Sequence, residues 1–331
     1  MKKIPIFFTF DDAYAVPAAV AFYSLLNKAK DGVFYEMHVL HSDVTQESQA
    51  MLRAVVSRFQ NASLTFRNTD GFLRQEWEKG NFAGHQRRSQ FTLDAVMRCF
   101  AARFFPQYDK IIYSDVDIVV QDDISGLFDV DLTDKYVASF LHPFIKSNAQ
   151  ELSHLPSAYY EKLKDTYFGG GIWVMNLEKI RQDDLEGKML EIIKDDSIRK
   201  RWPDQDIMNI ACENKVAYIP LNYVAFPYLL DYLQKPDFVS HYSRDELFDS
   251  IINPKILHFA AFKPWNTEGP YWEEWWAIFR YLNLPKTSLI TIDYKRHKNR
   301  VKKLRFAVKI LSFAVVFLLI GFMADLVWIL K

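Results

Sequence analysis

Cysteine is scarce in this chain. Cys99 and Cys212 are the two present, far apart and without CxxC spacing. Neither a disulfide framework nor a cysteine-rich metal site can be built from them. The body is therefore expected to be a reduced, cytoplasmic domain. Net charge is missing too, with 41 basic residues against 41 acidic ones. The residues before 295 hold 32 basic and 40 acidic side chains, which argues against a nucleic-acid-binding face. No internal repeat or low-complexity linker is visible. The opening Met-Lys-Lys-Ile-Pro-Ile-Phe-Phe carries too short an apolar run before Asp11 and Asp12 to read as a secretory leader. No dinucleotide fingerprint is found either: Gly169-Gly170-Gly171 precede a strand-like run, not a helix.

What is present is a large apolar complement. Hydrophobic residues make up 50% of 331, and aromatics 16%. That is enough for one large α/β domain with appendages. The positive charge is gathered at one end, where residues 295–331 hold nine lysines and arginines against the single Asp325. Residues 291–305 thus read as a basic juxtamembrane segment. Residues 306–330, FAVKILSFAVVFLLIGFMADLVWIL, follow it. As a helix they would reach about 37 Å, against a hydrocarbon core of about 30 Å. A transmembrane or interfacial helix is expected there, with the basic cluster facing anionic lipid and the body, residues 1–290, on the cytoplasmic side of the cell membrane.

In the body, strand-like and helix-like patterns alternate. Strands are predicted over Ile4–Phe10, Glu36–Leu40, Ser63–Arg67, Lys110–Tyr113, Ile118–Val120, Tyr136–Leu141, Gly171–Asn176 and Lys255–Phe259. Helices are predicted over Tyr14–Lys28, Thr45–Gln60 with Thr45 as N-cap, Phe91–Phe105, Leu185–Lys194, Asp204–Cys212 and Tyr271–Tyr281. The alternation implies a Rossmann-like, mostly parallel mixed sheet flanked by helices. Ligands in such sheets bind at the carboxyl ends of the strands.

Asp115-Val116-Asp117 follow the apolar run Lys110–Tyr113. Alternate residues of an extended chain point the same way, so both carboxylates can serve one hard divalent cation. His258 ends a late strand and could complete the ion's shell. Lys263, five residues on, could reach a phosphate as a point charge. Asp11 and Tyr14 end the first strand, where a carboxylate could take ribose or base contacts and a ring could stack on a base. Asp204-Gln205-Asp206 open a helix, where acidic residues also complement the helix dipole.

Together these segments resemble glycosyltransferase family 8, which includes bacterial lipopolysaccharide galactosyl- and glucosyltransferases and glycogenin. The resemblance spans residues 4–282. It is carried by FTFDDAYA (8–15), VMRCFAARFFPQYDKIIYSDVDIVV (96–120), YFGGGIWVMNLEKI (167–180), WPDQDIMN (202–209) and HFAAFKPW (258–265). It implies a GT-A fold and retaining transfer of glucose or galactose from a UDP-hexose to a glycan or glycolipid acceptor, with Mn²⁺ or Mg²⁺. By motif position, Asp115, Asp117 and His258 would bind the metal. Thr9, Asp11, Tyr14, Arg98, Val116, Gly170 and Lys263, with the two metal-binding aspartates, would bind the donor. Asp204 and Gln205 would be the catalytic pair beside the transferred sugar. The chain departs from the family at Gly169, where asparagine is common, at Ala13, and in a late motif shorter by one residue. The alternative is a non-catalytic UDP-sugar-binding membrane protein; a sugar-phosphate nucleotidyltransferase ranks below it, because the opening Asp11-Asp12 is acidic rather than a basic phosphate loop. Residues 142–165 and 226–250 fall outside the sheet pattern and are expected to border the acceptor.

Overall fold

The computed structural model describes residues 1–69, 71–72, 93–145, 149–233, 241–260, 262–287, 289–292, 299 and 302–303. The chain divides into two compact units, Met1–Leu289 and Ile290–Lys331. The apolar segment 306–330 lies outside the described residues, as does most of the basic segment before it. Among the described residues no helix is long and apolar enough to cross a membrane.

The first unit is built on a seven-stranded sheet. Its strands in chain order are β1 (Lys2–Thr9), β2 (Val33–His41), β3 (Ala62–Asn68), β4 (Lys110–Ser114), β6 (Val137–Ser139), β7 (Ile172–Asn176) and β8 (Val216–Tyr218), and they lie side by side as β3-β2-β1-β4-β7-β6-β8. β1 runs parallel to β2 and β4, β2 to β3, and β6 to β8, while β7 is antiparallel to both of its neighbours. The sheet is thus the mostly parallel mixed one expected. The remaining strands, β5 (Ile118–Val120) and β9 (Ile256–His258), form a separate antiparallel pair, with Ile118 opposite His258. The sequence alone gave no hint that the late strand would leave the main sheet.

β1 is apolar on both sides because both faces of the sheet are covered. Ile4, Ile6 and Phe8 pack into the core beneath helix α1 (Ala15–Asn27), and Phe7 packs on the other side with Tyr113 and Trp173. Helix α2 (Gln46–Val56) is capped as its sequence predicts, with Thr45 Oγ1 accepting from the Ser48 amide at 3.2 Å. It stops four residues before the predicted end. The Arg58 and Phe59 amides bond back only three residues, to Val55 and Val56, and this tightened turn delivers the chain into β3.

The predicted helix Phe91–Phe105 is broken. Its described part is a helical turn at Leu93–Met97, a 3₁₀ segment at Arg98–Phe100 and a second turn at Ala101–Phe104. Helix α3 (Pro203–Cys212) and helix α4 (Trp272–Leu282) lie within a residue of their predicted bounds. Helices at Ser157–Leu163 and Arg244–Ile252, and strand β8, were not foreseen.

The chain order places the site. From β1 the chain steps outward to β2 and β3, then returns to the opposite side of β1 as β4. The direction of winding reverses between β1 and β4. The carboxyl ends of these two strands therefore diverge around a crevice, the usual ligand seat of an open α/β sheet.

Candidate active site

Two carboxylates and an imidazole meet above the ends of β4 and β9. Ser114, the last residue of β4, pairs with Ile172 of β7, and the Asp115 amide then donates to the Gly171 carbonyl at 2.8 Å. This bond holds Asp115 at the carboxyl end of β4, a strand paired on both sides. Asp117 is fixed from the other side, since its carbonyl accepts from the Phe259 amide at 2.9 Å. The β5–β9 pairing then brings in His258, whose Nε2 lies 3.4 Å from Asp115 Oδ2 and 3.3 Å from Asp117 Oδ1. One ligand atom from each of the three lies within 4.8 Å of the others.

The spacing suits one divalent ion. Cis ligands about 2.1 Å from such an ion are roughly 3 Å apart, close to what the side chains already hold. Oxygen donors with one imidazole suit Mn²⁺ or Mg²⁺ better than a thiophilic metal. The far side of the ring is tightly packed. His258 Nδ1 is buried without a hydrogen-bond partner among the described residues, and a Cβ at Gly171 would lie 2.4 Å from His258 Cε1. Gly171 also has φ of +96°, so glycine is demanded there twice.

Two cations complete the cluster. Arg98 Nη1 donates to Asp115 Oδ1 at 2.8 Å and lies 3.5 Å from Asp204 Oδ2. Its Nε donates to the Ala95 carbonyl at 2.8 Å, and its guanidinium sits over the Tyr113 ring, 4.6 Å from the centroid. The 3₁₀ break in the helix is the stretch that carries Arg98 into this position. Lys263 Nζ donates to Asp117 Oδ2 and, at 3.0 Å, to the Phe259 carbonyl.

The charges are coupled. Burial opposes ionisation of Asp115 and Asp117, but Arg98 together with His258 outweighs it at the first and Lys263 with His258 at the second, so both carboxyls fall below the usual range. Burial likewise opposes the His258 imidazolium, yet Asp117 and Asp115 push it up to about 9. Lys263 is raised against its own burial by Asp117. Asp204 behaves oppositely: burial raises it, Arg98 only partly offsets this, and the Asp115 charge adds to the rise.

These groups line a cavity of about 840 Å³. Thr9, Asp11, Tyr14, Arg98, Asp115, Val116, Asp117, Gly170, Asp204, Gln205, His258 and Lys263 all face it, so it gathers every residue that the resemblance assigns to metal, donor or catalysis. Asp11 and its neighbour divide their work. Asp12 Oδ1 accepts from the amide and hydroxyl of Thr45, both at 2.9 Å, and ties β1's exit to α2. Asp11 turns to the cavity and is raised mainly by burial. Tyr14 meets Trp265 edge to face, with centroids 5.9 Å apart.

The Asp204-Gln205-Asp206 run also divides. Asp204 and Gln205 face the cavity from the first turn of α3, packed against Gly170, whose Cβ would lie 3.3 Å from Gln205 Cγ. Asp206 points inward. It accepts from the Tyr167 hydroxyl at 2.8 Å, His154 Nε2 at 2.9 Å, and the Arg201 and Trp202 amides at 2.8 and 2.9 Å.

Sequence reasoning named neither Phe140 nor Trp202, though both line the cavity. Trp202 stands in a quoted motif and could have been suspected; Phe140 carried no signal. His142, Phe226 and Tyr228, from the two segments expected to border the acceptor, also reach it. Residues 146–148 and 234–240 of those segments lie outside the described residues.

A profile of glycosyl transferase family 8 matches residues 5–269 of the chain. Lipopolysaccharide 1,2-glucosyltransferase of Escherichia coli is 22% identical over 313 residues, covering 91% of this chain and 86% of its own length. Among solved structures, the galactosyltransferase LgtC, in complex with donor and acceptor sugar analogs, superposes with a TM-score of 0.65 at 19% identity, covering 86% of this chain and 98% of its own. The bifunctional glycosyltransferase WbbM superposes with a TM-score of 0.68 at 23% identity, covering 84% of this chain and 50% of its own. The two structural likenesses show a GT-A-like α/β fold.

Proposed function

The chain belongs to glycosyl transferase family 8, and on that premise we propose that it is a metal-dependent, retaining hexosyltransferase. It moves glucose or galactose from a UDP-sugar to a cell-surface glycan or glycolipid acceptor, as the name of the similar lipopolysaccharide 1,2-glucosyltransferase suggests. The observation that carries this reading is the meeting of Asp115, Asp117 and His258 within 4.8 Å of one another, in the same cavity as Asp204 and Gln205.

Asp115, Asp117 and His258 would hold Mn²⁺ or Mg²⁺. A divalent ion there supplies positive charge where the leaving diphosphate gains negative charge. Lys263 adds a second cation on the same side, once its ammonium exchanges Asp117 for a phosphate oxygen. Thr9, Asp11 and Tyr14 take the uridine. Arg98 keeps Asp115 ionised and oriented. Gly170 lets the sugar approach the backbone closely. Asp204 and Gln205 place oxygens beside the anomeric carbon as it becomes oxocarbenium-like. The Gln205 amide is a poor nucleophile, which favours attack from the leaving-group side, with a diphosphate oxygen taking the acceptor's proton.

The basic segment 291–305 and the apolar segment 306–330 suit attachment to the cytoplasmic face of an anionic membrane, close to lipid-linked acceptors. Extraction of membranes with alkaline carbonate tests this, since a chain released by that treatment does not span. The catalytic reading is tested by assaying UDP release from UDP-glucose and UDP-galactose with Mn²⁺. Absence of turnover alongside tight UDP binding would favour a sugar-nucleotide-binding protein instead.

A further inference from the structure

His154 does not line the cavity, yet it joins two segments that border it. Its neighbours Leu152 and Leu155 are buried in the core around Trp173 and Met208, so the segment 149–155 is docked by apolar contacts whatever the imidazole does. The ring's Nδ1 lies 2.8 Å from the Glu151 carbonyl, in its own turn. Its Nε2 lies 2.9 Å from Asp206 Oδ2, in the first turn of α3. Both nitrogens face acceptors, which an imidazolium satisfies together and a neutral imidazole only one at a time. The His154 and Asp206 side chains are 5% and 0% exposed, so little water competes for the contact.

A second contact joins the same segments in the opposite sense. Arg201 Nη1 reaches Glu151 Oε2 at 2.7 Å, with the cation now on the α3 side. That pair is partly solvated, and such pairs hold weakly. Trp202 is caught between the two contacts: His154 meets its ring edge-on at 5.6 Å between centroids, and the Arg201 guanidinium lies over it at 4.7 Å. Asp206 Oδ2, the oxygen that His154 reaches, also accepts the Arg201 and Trp202 amides at 2.8 and 2.9 Å. The imidazole thus braces the carboxylate around which this turn is wound. Trp202, Asp204 and Gln205 are the residues through which the turn meets the cavity.

We infer that His154 is a positioning residue for sugar transfer: it ties the segment 149–155 to the turn 201–206, so that Trp202, Asp204 and Gln205 keep their places in the cavity. This rests on the reading of the chain as a UDP-hexose transferase. His154 acts through Asp206 and touches neither the metal ligands nor the cavity. Its effect is felt at the reacting sugar, where a displacement of about 1 Å can cost about 100-fold in rate. The uridine side, at Thr9, Asp11 and Tyr14, is held by β1 and the turn after it, and does not depend on this brace.

The test is UDP release from UDP-glucose and UDP-galactose by the full chain with Mn²⁺, set beside the calorimetric Kd for UDP. The native chain is compared with His154→Asn, His154→Phe and His154→Gln, and rates are taken per UDP-binding site so that unfolded chain does not count. The glutamine amide nitrogen reaches the place of Nε2 and keeps the donation to Asp206, the asparagine nitrogen reaches only the place of Nδ1, and phenylalanine keeps a ring but no donor. His154→Asn and His154→Phe are expected to lose about tenfold or more in kcat with a UDP Kd within about twofold of native, and His154→Gln to keep at least about half of the native kcat. His154→Phe, which keeps the packing on Trp202, decides alone should His154→Asn fail to fold. An unchanged kcat in the variants that cannot reach Asp206, a His154→Gln no better than they are, or a UDP Kd that weakens in step with kcat overturns the positioning role and leaves the transferase reading intact. Failure of the native chain to release UDP from either sugar overturns that reading, and the role of His154 with it.

Discussion

Asp115 and Asp204 reach the same Arg98 guanidinium nitrogen, at 2.8 and 3.5 Å, yet their acidities move in opposite directions. The closer carboxylate captures the guanidinium and stays charged. The more distant one is left with its burial and with the negative charge of the first. One arginine, helped by His258 at the nearer group, thereby sorts two carboxyls of one cavity into one held ionised and one of raised pKa.

Replacing Arg98 by Met should therefore damage more than one contact. It leaves Asp115 buried without its nearest cation, a loss of about 3–5 kcal/mol by analogy with broken buried pairs. Thermal unfolding should show a lowered Tm, and Mn²⁺ titration a weakened site. Arg98→Lys should recover part of the stability but not the stacking over Tyr113.

Gly171→Ala should injure the metal site selectively. The new methyl would press on His258 Cε1, and the backbone there is left-handed. Strain of about 1–3 kcal/mol is expected. Mn²⁺ affinity measured by electron paramagnetic resonance should fall by tenfold or more. An unchanged affinity would mean that the ring is free to move away from its two carboxylates.

The residues now gathered in one cavity were legible to very different degrees. Asp115 and Asp117 could be read because they follow a buried strand at a two-residue spacing. His258 is joined to them by its chemistry and by the family resemblance, while the pairing of the three-residue strands β5 and β9 that brings it there is announced by no local signal. Arg98 lay inside an apolar periodicity that read as an uninterrupted helix, and the 3₁₀ break that turns it to the cavity is a tertiary effect. The short helix Ser157–Leu163 lacks the length for periodicity to declare itself. The capped helix Arg244–Ile252 was readable in principle, for Ser243 and Glu246 form a capping box. Phe140 had no motif at all, and only its place in the cavity wall shows it.

Asp206→Asn replaces a carboxylate facing four donors with a group that is itself half donor. The His154, Tyr167 and backbone contacts cannot all survive it. A loss of about 1–3 kcal/mol is expected. Because Asp206 anchors the turn that presents Asp204 and Gln205, kcat for UDP release should fall while the Kd for UDP changes little.

Acid should weaken the fold partly through histidines that are held neutral. Burial lowers His38 and His142 to about 4 each. Between that value and about 6.5 the unfolded chain binds more protons than the folded one, so stability rises with pH across this window. Below about 4 both states are protonated and the loss is complete. Urea midpoints measured from pH 4 to 7 should show a shallower rise in His38→Asn than in the native chain. Parallel curves would remove His38 from the account.

The most direct measurement is Mn²⁺-dependent UDP release from UDP-glucose and UDP-galactose by the native chain and by the Asp115→Ala/Asp117→Ala variant. The native chain should turn over at least one of the two donors only when the ion is supplied, and the variant should retain less than about a thousandth of that rate. Equal turnover by the two proteins would show that the carboxylate–imidazole cluster is not where the departing nucleotide is neutralised.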